Sequence, residues 1–263
     1  MAAASGIPNG GNTCYLNSVI QCLRASGPFL DVVDSLPAAT ADSFANDLFE
    51  SLYPPVPRKN LMHLIMSMRK DLGAGQVDPS HAFENIVTNL KAGESAEAAK
   101  AFESTMKQAI MCLECGESSD MSYSTPIVTC NPLFAWDDLE SVLNDTLKSN
   151  VVVLDDDCAY ACEHCKTKTK AVKTVSVQQY ADVLVIAAQS STHGMKACNI
   201  SIDGNNYETI GIVIHTGADG NGHCVAYTRL AKKWYRCDDT CIVPVTIRQV
   251  DCQRPYMFFM KKV

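Results

Sequence analysis

Two Cys-x-x-Cys pairs constrain this chain more than any other feature: Cys112-Leu113-Glu114-Cys115 and Cys162-Glu163-His164-Cys165. Each pair suits a tight knuckle turn, and two knuckles can close a tetrahedral Zn(Cys)4 site. Closing it requires two segments about fifty residues apart to meet, a longer separation than compact zinc ribbons use. The other reading of the same residues is a set of redox or leftover cysteines. Cys130 and Cys158 lie nearby but fall outside the pairing, and His164 is a bystander inside its knuckle.

A second feature lies near the start. Gly6 to Leu23 reads GIPNGGNTCYLNSVIQCL, a Gly/Asn-rich loop running into a helical pattern. Leu16, Val19, Ile20 and Leu23 recur at helical spacing and predict one buried face. Asn12 and Thr13 are good cap residues, which puts Cys14 in the first helical turn. The unpaired N–H groups and helix dipole there favour an anion, so the Cys14 thiol should ionise more readily than a free cysteine. Taken alone, Cys14 is also compatible with an ordinary small buried residue. A nucleophile needs a base from elsewhere in the chain.

The other end of the chain offers one. Tyr207 to Ile214 reads as a strand and is followed by a loop containing Gly217, Gly220 and Gly222. His223-Cys224-Val225-Ala226-Tyr227-Thr228-Arg229 and Trp234-Tyr235-Arg236-Cys237-Asp238-Asp239 then predict a hairpin. A turn at Ala231 and Lys232 sets Arg229 opposite Trp234 and Val225 opposite Asp238. His223 is then the diagonal neighbour of Asp238 on one face, within hydrogen-bond reach. A histidine oriented by a carboxylate is the base half of a Cys-His-Asp triad.

These two boxes, Asn-x-Gly-Asn-Thr-Cys-Tyr-x-Asn-Ser-x-x-Gln-x-Leu and Gly-His with Trp-Tyr-x-x-Asp-Asp, resemble those of the ubiquitin-specific proteases. These are papain-like cysteine deubiquitinases. The resemblance runs from Gly6 to about Lys261. It implies an α+β fold with a helical thumb lobe (about 6–110), zinc-tied β-ribbon fingers (about 111–175) and a β-rich palm (about 176–263), all one catalytic domain over 1–263. It implies Cys14 as nucleophile, His223 as general base, Asp238 as its orienting acid and Asn9 as the oxyanion-hole amide. Asp239 is a weaker candidate on the acid and substrate side, and His215 a structural or rim histidine. The activity implied is hydrolysis after the C-terminal glycine of ubiquitin through a thioester. The alternatives are a protease for another ubiquitin-like modifier, a viral or polyprotein cysteine protease, and a silent ubiquitin-binding module. The fingers' zinc, held by Cys112, Cys115, Cys162 and Cys165, is expected to be structural.

Three departures from the family pattern fall on the substrate side. The family's Gln-x-Asp-Ala-x-Glu-Phe segment, whose Asp helps hold ubiquitin's basic tail, is matched here by Gln76-Val77-Asp78-Pro79-Ser80-His81-Ala82-Phe83, out of step by one. Asp78 is therefore a candidate substrate contact whose alignment is ambiguous with Pro79. Cys224 stands where the family has a tyrosine lining the channel for the Gly-Gly tail. Ala181 to Ser190 replaces a Pro-x-x-Leu-x-x-His-Leu-Lys-Arg-Phe run, keeping the strand and losing its polar end.

The rest of the chain reads as scaffold. At 263 residues and 47% hydrophobic, it can bury a full core. A net charge of −7, with no basic run, argues against nucleic acid as the main partner and is compatible with a basic protein such as ubiquitin. The first five residues lack a signal-peptide pattern, and no apolar run approaches the roughly 20 residues that span a bilayer. Thirteen cysteines without secretion signals suit reduced thiols in the cytoplasm or nucleus. A monomer trimmed from a larger protein or polyprotein is the expected setting. Helices are predicted over Asp42–Leu52, from an Asn60 cap through Leu72, and opening within Gln76–Phe83 with Phe83, Ile86, Val87 and Leu90 inward. Met62, Met66 and Met68 read as core filler. Ala92–Lys100 reads as a solvated segment, and Leu139, Val142, Leu143 and Leu147 as a short amphipathic helix after Trp136-Asp137-Asp138. Strands are expected near Val151–Leu154, Ala171–Val177, Val183–Ile186 and Tyr256–Met260.

Overall fold

A computed structural model describes residues 5–38, 43–130, 139–148, 151–188, 199–217, 222–251 and 255–263, apart from the side chains of 145–148 and 251. Trp136-Asp137-Asp138, the side chain of Leu147, Gln189, Ser190 and Gly220, all read above, lie outside the described residues. Helices dominate the first hundred residues: α1 (Cys14–Ala25), α2 (Gly27–Ser35), α3 (Phe44–Leu52), α4 (Arg58–Leu72), α5 (Pro79–Ala92) and the single turn α6 (Ala96–Lys100). The α1 stripe is buried as its spacing predicts, with Leu16, Val19, Ile20 and Leu23 fully covered.

Helix ends are where the local reading needs correcting. Ser43 caps α3 by accepting from the Asn46 N–H. Asn60 does not cap α4, which starts at Arg58 after Pro57. The Asn60 amide instead donates to Asp47 Oδ1 at 2.9 Å, tying α4 to α3. Met68 is core, but Met62 and Met66 are exposed, because they fall on the solvent side of the Leu61, Leu64, Ile65 stripe. Ala98 and Ala99 are fully buried. Small side chains let α6 sit closely on α5 and α2, so the segment expected to be solvated is so only in part, with Glu94, Glu97 and Lys100 exposed.

The strands form two main sheets. β1 (Ser104–Cys112), β2 (Ser118–Thr125), β4 (Val151–Leu154) and β7 (Ala171–Gln179) make a four-stranded ribbon in the order β2-β1-β7-β4. β1 and β7 pair antiparallel from Thr105 opposite Gln179 to Cys112 opposite Ala171. Beyond their ends lie the small β5 (Tyr160–Cys162) and β6 (Thr167–Thr169) pair. The eight-stranded sheet is ordered β13-β12-β11-β10-β14-β8-β3, with β9 paired to β10. Its strands are β3 (Val128–Cys130), β8 (Val183–Ala188), β9 (Asn199–Ile202), β10 (Asn205–Thr216), β11 (His223–Leu230), β12 (Lys233–Asp238), β13 (Cys241–Val245) and β14 (Pro255–Lys262).

Both faces of that sheet are covered, which explains why β14 and β8 read as unbroken apolar runs. Met257 and Phe259 face the helices, while Phe258 and Met260 face a second core that includes Leu139, Val142 and Leu143 of α7 (Leu139–Lys148). A string of rings fastens helices to sheet: Phe29 to Phe102 at 5.0 Å, Phe102 to Phe83 at 5.1 Å and Phe83 to Phe259 at 5.3 Å. Helix α1 lies across β10 and β11, which brings residues from both ends of the chain to one edge. Mixed helices and sheets of this form fit the α+β, papain-like fold class expected from the sequence.

Candidate active site

Cys14 is the first residue of α1, buried against β11. Thr13 holds the N-cap position but makes no side-chain capping bond to the helix. Its hydroxyl is used in the preceding loop, accepting from the Gly10 N–H at 2.9 Å and donating to Asn9 Oδ1 at 3.3 Å. Asn9 Oδ1 also accepts the Gly11 and Thr13 N–H groups, at 2.9 and 3.2 Å. The loop ahead of Cys14 is thus wound around one amide oxygen, and Asn12 within it takes a positive φ of 51°. Arg69 of α4 holds the loop from outside, donating to the Gly10 and Gly11 carbonyls at 3.1 and 2.5 Å.

The β11–β12 hairpin has the register counted from sequence. Arg229 faces Trp234 and Leu230 faces Lys233. Ala231 and Lys232 form the turn with φ of 48° and 67°, the left-handed pair that matches strand twist. His223 opens β11 and reaches Asp238 at the end of β12, with Nε2 to Oδ1 at 2.7 Å. That leaves Nδ1 for Cys14, with which the ring is hydrogen-bonded. Asp238 Oδ2 accepts from Arg236 Nη2 at 2.7 Å. Burial penalises the Asp238 carboxylate, but His223 and Arg236 outweigh it and hold its pKa below the usual value.

The electrostatics favour a separated charge pair. The Cys14 thiol is pulled down to about 5, first by the hydrogen bond from the Cys224 thiol. Burial works against this, and the Cys224 N–H and the His223 ring add to it. The direction is the one expected for a thiol at a helix start, but the causes are the Cys224 and His223 contacts. Burial also works against charge on His223, yet Asp238 and Cys14 raise its pKa above the ordinary value. Cys224 is itself pushed far up by the neighbouring Cys14 and by burial, so it stays a protonated donor. A thiolate beside an imidazolium can attack a carbonyl and return a proton to a leaving group.

Asp239 sits next to this pair with its carboxylate turned toward the loop. Oδ2 accepts from Asn9 Nδ2 at 2.9 Å and Oδ1 from Asn17 Nδ2 at 2.7 Å. Its carbonyl accepts the Ile7 N–H at 2.9 Å. Asp78, read as a substrate contact, uses both oxygens internally. Oδ1 caps α5 through Ser80 N and Oγ, at 2.7 and 2.6 Å, and Oδ2 accepts from the Tyr256 hydroxyl. Burial of that carboxylate is outweighed by these bonds, which lower its pKa. The Cys224 thiol faces Cys14 and is buried.

Sequence reasoning missed Arg69, Arg236 and Gln76. The Gln76 amide grips Gly222, with the Gly222 N–H donating to Oε1 at 2.6 Å and Nε2 donating to the Gly222 carbonyl. Arg69 and Gln76 share no local motif with the residues they hold, although the Gln-x-Asp segment placed Gln76 in view. Arg236 lies two residues from Asp238 in the Trp-Tyr-x-x-Asp-Asp stretch, and that spacing on one strand face was the available signal.

At the tip of the ribbon, Cys112, Cys115, Cys162 and Cys165 put their sulfurs within 4.8 Å of one another. Cys112 Sγ lies 3.9 Å from Cys165 Sγ, and Cys115 Sγ 3.7 Å from Cys162 Sγ. Zinc–sulfur bonds of about 2.3 Å in a tetrahedron put sulfurs about 3.8 Å apart, so the four thiols fit such an ion. Both knuckles close alike. Gly116 N–H bonds to Cys112 O and Lys166 N–H to Cys162 O, at 3.0 and 2.9 Å, with Gly116 and Lys166 at φ of 76° and 58°. The cluster could bind a metal.

Comparison with known proteins agrees with this geometry. The family model described as ubiquitin carboxyl-terminal hydrolase matches residues 5–260. Ubiquitin carboxyl-terminal hydrolase 16 of Arabidopsis thaliana is 24% identical, over 97% of this chain and 30% of that protein. Ubiquitin C-terminal hydrolase 15 of Oryza sativa subsp. japonica is 25% identical, over 97% of this chain and 31% of its own length. This chain thus spans about a third of these relatives. Among solved structures, the SAGA Ubp8/Sgf11/Sus1/Sgf73 DUB module bound to ubiquitin aldehyde superposes with a TM-score of 0.76 at 18% identity, covering 99% of this chain and 70% of that one. The family model spans nearly the whole chain, the fold is shared, and the chain belongs to the ubiquitin carboxyl-terminal hydrolase family, as a ubiquitin-specific protease domain.

Proposed function

We propose that this chain is a thiol-dependent deubiquitinase that hydrolyses the bond after the C-terminal glycine of ubiquitin or a ubiquitin-like modifier. The observation that carries the reading is the Cys14 thiol, with its pKa near 5, beside a His223 ring bonded to Asp238 at 2.7 Å. The Cys14 thiolate attacks the glycine carbonyl. Asn9 Nδ2 has two protons, one committed to Asp239, and the second is free to meet the oxyanion together with N–H groups at the start of α1. His223 gives its proton to the departing lysine amine, leaving the thioester. It then takes a proton from water, whose oxygen attacks the same carbonyl and releases the modifier as a carboxylate. Asp78, Cys224 and Asp239 act on the substrate side through the groups they hold.

Cys112, Cys115, Cys162 and Cys165 would hold a structural zinc ion, which when bound fastens the ribbon tip and takes no part in the reaction. The domain division into thumb, fingers and palm follows the helical, ribbon and eight-stranded parts. Among the described residues no helix is long and apolar enough to cross a membrane. Eleven described cysteines are all free, which supports a reducing, intracellular setting in the cytoplasm or nucleus. The expected partners are ubiquitin or a related modifier and its conjugates, met by a monomer, with no nucleic acid. A polyprotein-cleaving peptidase would need the triad but not the metal-ready ribbon, so the ribbon favours a modifier.

The test is labelling with ubiquitin carrying a C-terminal electrophile, alongside Cys14→Ala. One adduct, absent from the variant, is expected. An adduct only with another ubiquitin-like probe would reassign the modifier, and no adduct with any probe would overturn the enzyme reading.

A further inference from the structure

We infer that Gln76 is a positioning residue for His223, its side-chain amide fixing the backbone of Gly222 so that the imidazole meets Cys14 and Asp238 together. This rests on the proposed hydrolase reading and adds a member to its machinery. The argument begins with Gly222, which is buried and directly precedes β11. The ladder between β10 and β11 reaches only to Thr216 opposite His223, so Gly222 lies one residue past the sheet's own pairing. Both its backbone polar groups nevertheless have a partner, and it is the same one. The N–H donates to Gln76 Oε1 at 2.6 Å and the carbonyl accepts from Gln76 Nε2. An amide side chain has the donor and acceptor that a neighbouring strand would present, and here it stands in for one.

A second constraint comes from the opposite side. A Cβ on Gly222 would fall 1.9 Å from His215 Nε2, so the His215 ring occupies the space a side chain would need. Gly222 is held between that ring and the Gln76 amide. The Gln76 segment is anchored in turn, because Asp78 caps α5 and accepts from Tyr256, whose ring meets His215 at 6.2 Å. Gln76, Gly222, His215, Tyr256 and Asp78 therefore make a closed circuit linking the α4–α5 connection to β10, β11 and β14.

His223 needs such support from its backbone. Its side chain is 42% exposed, so packing alone does not fix the ring. The ring's two side-chain bonds, to Asp238 and Cys14, can both be kept only while its backbone stays in place. A rotation at Gly222 would move the ring relative to Cys14 while keeping Asp238, and displacements of about 1 Å can cost about 100-fold in rate. Gln76 itself is exposed at the rim, so replacing it leaves the core intact.

Gln76→Met keeps length and removes both bonds; Gln76→Glu keeps the acceptor for the Gly222 N–H and loses the donor. Two readouts apply: steady-state cleavage of a fluorogenic ubiquitin C-terminal amide, and alkylation of the Cys14 peptide by iodoacetamide at pH 6, followed by mass spectrometry without any modifier. In Gln76→Met, kcat is expected to fall about 10- to 100-fold with KM within about twofold. Cys14 alkylation should slow by about threefold or more as the imidazolium is lost from the pair. Gln76→Glu should fall between Met and wild type, with all three melting together. Unchanged kcat and alkylation in folded Gln76→Met would overturn the inference. So would a change in KM alone, or a loss that follows melting temperature in both variants. Wild type that is alkylated quickly but cleaves no modifier substrate would overturn the function instead, and the alkylation rates would then decide the role of Gln76.

Discussion

Asn9 donates from Nδ2 to Oδ2 of Asp239 at 2.9 Å, although 230 positions separate them in the chain. The same carboxylate holds Asn17 at 2.7 Å, and the Asp239 carbonyl holds the Ile7 N–H. Asp239 is thus the fixed point for the loop that ends at Cys14. Asn9→Ala should cost about 2.7–4 kcal/mol of transition-state stabilisation, mostly in kcat. Asp239→Ala should give a smaller loss of the same kind, because the amide remains but its aim is relaxed. Equal kcat values for wild type and Asp239→Ala would contradict that assignment.

The charge pair sets a pH window. Cys14 has its pKa lowered, so the thiolate exists above about pH 5 and is lost on acidification through that value. His223 has its pKa raised, so the imidazolium is present at lower pH and is lost as pH rises through a value above the ordinary one. A bell-shaped kcat/KM profile with an acid limb near 5 is expected, reporting the pair rather than either residue alone. An acid limb at the usual thiol value would contradict the hydrogen bonding described.

Cys224 supplies the largest share of that lowering through its S–H donor. Cys224→Ala should move the acid limb upward and slow Cys14 alkylation at pH 6. Cys224→Ser keeps a hydroxyl donor and should stay close to wild type. The pH dependence of alkylation in the two variants separates the donor from the space it fills.

Asp238→Asn should keep the shape of the site while removing the charge that raises His223. The alkaline limb should move down, and kcat should fall by about 10²- to 10⁴-fold, the range in which a triad loses its orienting acid. Arg236→Ala removes only the partner on Oδ2 and should cost far less. The ratio of the two losses is the measurement.

Metal analysis should find one zinc per chain, lost in Cys115→Ala. Chelation should lower the melting temperature by loosening the ribbon tip. Iodoacetamide should still alkylate Cys14 in the metal-free protein, since the four sulfurs lie at the ribbon tip and none is on the eight-stranded sheet that carries His223 and Asp238.

How much of this was legible beforehand follows from distance along the chain. Cys14 stood out because its loop and helix are contiguous, and the His223–Asp238 contact could be counted across a two-residue turn. The Cys-x-x-Cys pairs declared themselves by spacing. Arg69 on the Gly10 and Gly11 carbonyls, Gln76 on Gly222 and Asp239 on Asn9 could not be counted, because each bond joins elements whose placement depends on packing. The exposed Met62 and Met66 and the buried Ala98 and Ala99 show the same limit at single residues, where composition suggested the opposite side.

The position of β14 between β10 and β8 has a bearing on how the protein is made. In chain order α1 and its thiol come well before the β11–β12 hairpin, and the strand that joins the two halves of the large sheet comes after residue 254. A nascent chain that has reached Cys14 must grow by about 200 residues before His223 and Asp238 follow, so the nucleophile emerges well ahead of its base. The order of synthesis thus leaves the thiol without its base until the β11–β12 hairpin is made.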